Sequence, residues 1–141
     1  SEPIPVAQTF TFDTEDALLN LGDITRLDTM VTVVDAFNFF NDFNSSDTVL
    51  SKGLTQDEAD ARAIVNLLID QIEFANVVVL NKADLVNAQS LALLRGVIMK
   101  LNPDARIIET SYGKVNAADI LNTKLFDYEK ATQSAGWIKE L

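Results

Sequence analysis

Val77-Val78-Val79-Leu80-Asn81-Lys82-Ala83-Asp84 is an apolar run that ends in the polar pattern N-K-x-D. A half-buried strand alternates apolar and polar residues. Residues 76–81 do not alternate, so both faces of this strand are expected to be covered, as in a parallel sheet between two layers. Residues 30–36, Met-Val-Thr-Val-Val-Asp-Ala, read the same way, and residues 106–110, Arg-Ile-Ile-Glu-Thr, supply a third short strand. Two helical patterns separate the three. In residues 57–75, opened by Thr55 or Gln56, acids fill the first turn, and Ile64, Leu67, Leu68, Ile72 and Ala75 share a face. In residues 88–101, Leu91, Leu94, Ile98 and Leu101 form one stripe, and Asn102-Pro103-Asp104 stops the helix and turns the chain. Strand–helix–strand–helix–strand implies right-handed crossovers and an α/β fold with three parallel strands and flanking helices.

The remaining segments are less informative. Residues 1–12 read as an extended lead-in or a short helix, and residues 37–56 as a polar loop or excursion. A short helix is expected near 116–124, and the chain closes on Gly136-Trp137-Ile138. There is no internal repeat and no low-complexity segment.

The 141 residues amount to one domain, and 48% are hydrophobic, which suits a packed core. No apolar run reaches the roughly 18 residues of a membrane helix, and Ser-Glu-Pro-Ile-Pro is not a signal peptide, so a cytoplasmic location is the expectation. The chain has no Cys and no His. It can offer a metal only oxygen ligands, which suit Mg²⁺ or Ca²⁺ rather than zinc. The net charge is −10, and residues 1–80 hold 14 acids against 3 bases. That balance argues against nucleic acid and anionic membrane as partners. The acidic half reads either as solvated surface or as a face for a basic partner or hard cation.

Ligands of open α/β sheets bind beyond the carboxyl ends of the strands. Asp35, Asn81 to Asp84, and Thr110 to Gly113 all fall on that rim. Guanine presents N1–H and N2–H₂ along one edge, and one carboxylate accepts from both. Asp84 suits that role; adenine lacks the donor pair and would leave the carboxylate without partners. The Asn81 amide can bond the N7/O6 side and tie neighbouring loops together, and the Lys82 stem can lie along the base plane. Asn and Asp after a strand are also ordinary turn formers. Thr110-Ser111-Tyr112-Gly113 can offer backbone N–H groups to a carbonyl such as guanine O6, or simply turn the chain. Asp35 could hold a Mg²⁺-bound water or orient a loop, or equally cap the residues after it. Phe37, Phe39, Phe40 and Phe43 read as local core or interface rather than as a base-stacking platform. Gly22, Gly53 and Gly96 make no phosphate-cradling pattern.

The chain resembles the CobW-type family of P-loop GTPases, relatives of the nickel-insertion GTPases for urease and hydrogenase. The resemblance rests on SEPIPVAQTF at 1–10, RLDTMVTVVDAFNF at 26–39, LLIDQIEFANVVVLNKADLV at 67–86 and LNPDARIIETSYGKV at 101–115. ILNTKLFDYEKATQSAGWIKEL at 120–141 is most similar to the zinc-responsive, YciC- or ZigA-like branch. The resemblance implies that Asn81, Lys82 and Asp84 are the guanine-specificity motif. It places Ser111, with Tyr112 beside it, in the second base-contact loop. It further implies a GTP- and Mg²⁺-dependent hydrolase that delivers metal, zinc in this branch, to client proteins.

Against that pattern, no G-x-x-x-x-G-K-[ST] loop and no Cys-x-Cys-Cys motif occur. Residues 1–141 are therefore expected to be the C-terminal half of a doubly wound GTP-binding domain. The phosphate-loop part and the family's C-terminal domain would lie elsewhere, and the chain alone would be inactive. In related GTPases the phosphate-loop strand lies beside the strand matching residues 30–35. Those residues are thus expected to form an open edge that self-associates or holds an N-terminal partner fragment. The competing reading is a nucleotide-free protein-interaction module.

Overall fold

The computed structural model describes residues 2–10, 21–40 and 58–133, the side chains of 58–65 excepted. In chain order the elements are α1 (Pro3–Gln8), α2 (Leu21–Ile24), β1 (Val31–Asp35), α3 (Glu58–Glu73), β2 (Val77–Asn81), α4 (Ala88–Leu101), β3 (Arg106–Glu109) and α5 (Tyr128–Thr132). Short 3₁₀ turns lie at Ala83–Leu85 and Ala117–Asp119.

The strands form one parallel sheet in the order β1-β2-β3, so β2 is central. The register sets Val31 beside Val77 and Asp35 beside Asn81; on the other side Val77 meets Arg106 and Leu80 meets Glu109. The non-alternating run at 77–80 is explained by this position: Val77, Val78 and Leu80 are fully buried and Val79 nearly so. Each such side chain contributes roughly 1.5–3 kcal/mol on leaving water. Val31 and Val33 on the edge strand are 39% and 66% exposed.

Both long helices serve one core. Ile72 of α3 and Leu94 and Ile98 of α4 pack with Val34, Val78 and Leu80, joined by Ala36, Phe39, Ala75 and Ala105. Phe39 and Phe40 meet edge to face with ring centroids 5.5 Å apart, so these two aromatics are local core. Phe37 is exposed, and Phe43 lies outside the described residues. The hydroxyl of Thr32, on the same sheet face, donates to the Gln71 carbonyl at 2.5 Å, which satisfies a polar group under α3.

The ends of α4 reflect the local chemistry of its sequence. Asn87 caps its N-terminus by accepting from the Ser90 amide at 2.8 Å. Asn102 ends it in extended backbone, and the Asn102 amide Nδ2 reaches the carbonyls of Ile72, Glu73 and Ala75 at 3.0, 3.0 and 2.7 Å. This buried side chain supplies a donor to the carbonyls at the C-terminal end of α3, where the Ile72 carbonyl also accepts from the Ala75 amide at 3.3 Å.

The two segments read less sharply resolve differently. Residues 3–8 are helical, with Pro3 in the first turn and Ile4 and Ala7 buried against Leu27, Met30, Phe74 and Ala131. Near 116–124 only the 3₁₀ turn at 117–119 forms, opened by Asn116. Asn122 and Lys124 then take positive φ, which a right-handed helix cannot hold. This loop is clasped to the start of β1. The Asp28 carboxylate accepts from the Thr123 and Lys124 amides at 2.9 Å each, and the Asp28 carbonyl accepts from the Phe126 amide at 2.9 Å. The Gly136-Trp137-Ile138 tail lies outside the described residues.

Candidate functional site

The carboxyl ends of the three strands bring the three polar clusters onto one rim. At the centre Asn81 closes β2, half-buried. Its carbonyl accepts from the Ala36 amide at 2.9 Å, and its side-chain Oδ1 accepts from the Gly113 amide at 2.9 Å. The Asn81 amide therefore ties the β2 and β3 loops together. Its Nδ2 has no described partner. The Ala83 amide donates to the Thr110 carbonyl at 3.1 Å, a second tie between the same loops.

Thr110 is the buried anchor of the second loop. Its amide continues the ladder to the Leu80 carbonyl at 2.9 Å, and its hydroxyl donates to the Lys114 carbonyl at 2.6 Å. The turn between, Ser111 to Lys114, is closed by the Lys114 amide on the Ser111 carbonyl at 3.2 Å. Ser111 is half-buried, whereas Tyr112 is 86% exposed. Tyr112 and Gly113 have φ of 57° and 65°. A bulky residue is uncommon there, and consecutive positive φ values fold the loop tightly against Asn81.

Lys82 also sits in the left-handed region, at φ 61°. Its ammonium reaches back across the rim to Asp35 Oδ2 at 2.6 Å. Asp35 is itself fully engaged. Oδ1 accepts from the Phe37 and Asn38 amides at 3.0 and 3.1 Å, and Oδ2 accepts from Asn38 Nδ2 at 2.9 Å. The bonds from the Phe37 and Asn38 amides make it a cap on the residues that follow β1. Burial pushes the Asp35 carboxyl up, but the hydrogen bonds from Lys82 and Asn38 outweigh it and hold the group below the ordinary carboxylate range. The pairing of Asp35 with Lys82 was not read from the sequence. The available signal was that both residues end strands on the same rim.

Asp84 lies in the 3₁₀ turn beyond, exposed, and no described residue donates to its carboxylate. Among the described residues the rim thus offers a carboxylate and an amide donor without partners, and a tightly turned backbone loop. Elsewhere, no three Asp, Glu, His or Cys side chains among the described residues are grouped so as to hold a metal ion. No helix among them is long and apolar enough to cross a membrane.

A family model described as CobW/HypB/UreG, nucleotide-binding domain, matches residues 1–109. Over 141 residues the chain is 44% identical to zinc-regulated GTPase metalloprotein activator 1 of Dictyostelium discoideum, covering all of this chain and 30% of that protein. Over 138 residues it is 35% identical to the protein of the same name from Schizosaccharomyces pombe, covering 97% of this chain and 28% of that one. The chain thus spans less than a third of either curated relative. No solved structure matches it.

Proposed function

The chain belongs to the CobW/HypB/UreG nucleotide-binding-domain family, and on that premise we propose that its strand-end rim recognises the guanine ring of GTP. The observation that carries the reading is the clamp between the N-K-x-D turn and the 110–113 loop, which leaves the Asp84 carboxylate open. Asp84 accepts from guanine N1–H and N2–H₂ as a bidentate charge-assisted pair. Asn81 Nδ2, its Oδ1 already held by Gly113, donates to N7. The Ser111 and Tyr112 amides face the carbonyl O6. The donor set fits this ring and not adenine, whose amino group and bare N1 offer no matching pair.

The whole protein, on this reading, is a GTP-hydrolysing metallochaperone of the cytoplasm that passes metal, which we take to be zinc, to a metal-requiring client protein; its relatives are named zinc-regulated GTPase metalloprotein activators. Bound Mg²⁺ would neutralise phosphate charge during hydrolysis. The residues of this chain supply the base pocket. Its 141 residues contain no Gly-rich phosphate loop and no Cys or His for zinc, so the chain alone hydrolyses no GTP. Phosphate release above a protein-free blank with GTP and Mg²⁺ would refute that part. The β1 edge serves as a pairing surface, for a second copy or for an N-terminal segment.

The test of base recognition is calorimetric titration of the full-length protein with GTP and xanthosine triphosphate, for wild type and Asp84→Asn. Loss of guanine preference in the variant supports the reading, and unchanged GTP affinity removes Asp84 from the site.

A further inference from the structure

We propose that Asp35 is a positioning residue for base recognition, anchoring the Lys82 ammonium so that the lysine stem is held as a fixed shelf beside the base. The inference rests on the guanine reading above and adds to it a residue from a different strand.

A lysine side chain is normally among the most mobile on a protein surface, and fixing it carries a large rotamer-entropy cost. Lys82 is 45% exposed as a side chain, yet both of its ends are constrained. The backbone is held at φ 61°, with the next amide bonded to the Thr110 carbonyl at 3.1 Å. The ammonium is held by Asp35 at 2.6 Å. Between these anchors the four methylenes run along the rim from the end of β2 to the end of β1, presenting an apolar surface two residues from the Asp84 carboxylate. The anchor is itself rigid. All four acceptor positions of Asp35 are filled, by two backbone amides, the Asn38 side chain and Lys82. Asp35 pairs in register with Asn81, so the sheet fixes the separation of anchor and shelf. The lysine is therefore ordered before any ligand arrives, and the ordering cost is removed from the binding step.

The arrangement gives Asp35 an effect on affinity that passes entirely through Lys82. Asp35→Asn keeps an oxygen for the Phe37 and Asn38 amides but turns an amide donor toward Asn38 and Lys82. Lys82→Met keeps most of the stem and removes the anchored charge. The experiment is a double-mutant cycle on the full-length protein, titrated with GDP and with xanthosine diphosphate, with thermal melting of each variant as a check on folding. Each single variant is expected to weaken GDP roughly 5- to 30-fold, the equivalent of one lost rotamer-rich ordering step. The double variant is expected to be no weaker than the weaker single one. The preference for guanine over xanthine, set by Asp84, is expected to stay as in wild type. Losses that multiply in the double variant, or an Asp35→Asn protein that binds GDP as wild type does, overturn the inference. If Asp35→Asn does not fold, Lys82→Met alone decides, because it alters no cap: unchanged GDP affinity there overturns the shelf. A wild type with no guanine preference overturns the base reading itself, and this inference with it. A wild type that prefers guanine but shows multiplying losses overturns only the role of Asp35.

Discussion

Asn81 Oδ1 accepts the Gly113 amide proton at 2.9 Å, joining two loops 32 residues apart in sequence. The bond fixes which way the Asn81 amide faces, leaving Nδ2 directed away from Gly113. Asn81→Ala removes the tie while leaving the β2 ladder to Ala36 intact, since that bond uses the backbone carbonyl. The variant is expected to lose about 0.5–1.5 kcal/mol of stability. Its Gly113 amide should exchange with solvent faster than in wild type, a change that hydrogen-exchange measurements read directly.

Asn102 is the more consequential asparagine for the fold. It is buried, and its Nδ2 serves three carbonyls at the end of α3. Asn102→Ala removes a donor from all three, leaving the Ile72 carbonyl only the Ala75 amide at 3.3 Å, and is expected to destabilise the chain by about 1–3 kcal/mol. The lowered midpoint should appear in thermal or urea unfolding. A midpoint equal to wild type would mean that water replaces the side chain without cost.

Asp28 makes stability depend on acid. The Thr29 hydroxyl is the main cause that holds its carboxyl down, followed by the Lys124 and Thr123 amides and Arg26; partial burial opposes them, and the net result is about 2 against an ordinary 3.8. A carboxyl depressed in the folded state stabilises that state fully above its unfolded value. The contribution is lost as the pH falls through the folded one. The loop clasp at 123–126 is therefore expected to weaken between about pH 4 and pH 2. Asp28→Asn should flatten that part of the pH–stability curve. An unchanged curve would place the acid-sensitive group elsewhere.

The edge of the sheet makes a prediction about association. Met30 and Ala36 bond to β2, through the Val77 amide and the Asn81 carbonyl. By the alternation of a parallel ladder, Val31, Val33 and Asp35 direct their backbone N–H and C=O groups to the other side. No described strand pairs there, and Val33 is 66% exposed. The chain is expected to self-associate through this edge, and Val33→Lys to reduce the effect. Sedimentation across a concentration series separates the outcomes: a monomer at all concentrations would show the edge to be covered.

The three strands and two long helices were legible because their apolar runs and caps are local signals. Lack of alternation marked residues 30–36 and 76–81 alike as covered on both faces; β2 is so buried, whereas Val31 and Val33 are 39% and 66% exposed because β1 lies at the edge of the sheet. The rim was legible because ligand sites depend on strand direction. What escaped were partnerships made only by the fold. Asp35 with Lys82, Asn102 with the end of α3, and Asp28 with the 123–126 loop join residues 27 to 98 positions apart. No local pattern marks such partners. The short helix expected near 116–124 is confined to the 3₁₀ turn at 117–119, because Asn122 and Lys124 take positive φ, which hydrophobic periodicity does not report.

The central claim is that the open carboxylate of Asp84 reads the two adjacent donors of guanine. The most direct test titrates the full-length protein and its Asp84→Asn variant with GTP and with xanthosine triphosphate, under the same salt and Mg²⁺. The wild type should prefer GTP. The variant's half-donor amide should weaken GTP at least tenfold, as loss of a charged bidentate pair requires, and shift relative affinity toward xanthosine triphosphate, which carries a carbonyl in place of the amino group. Equal GTP affinity in the two proteins, or a wild type indifferent to the base, would contradict the account.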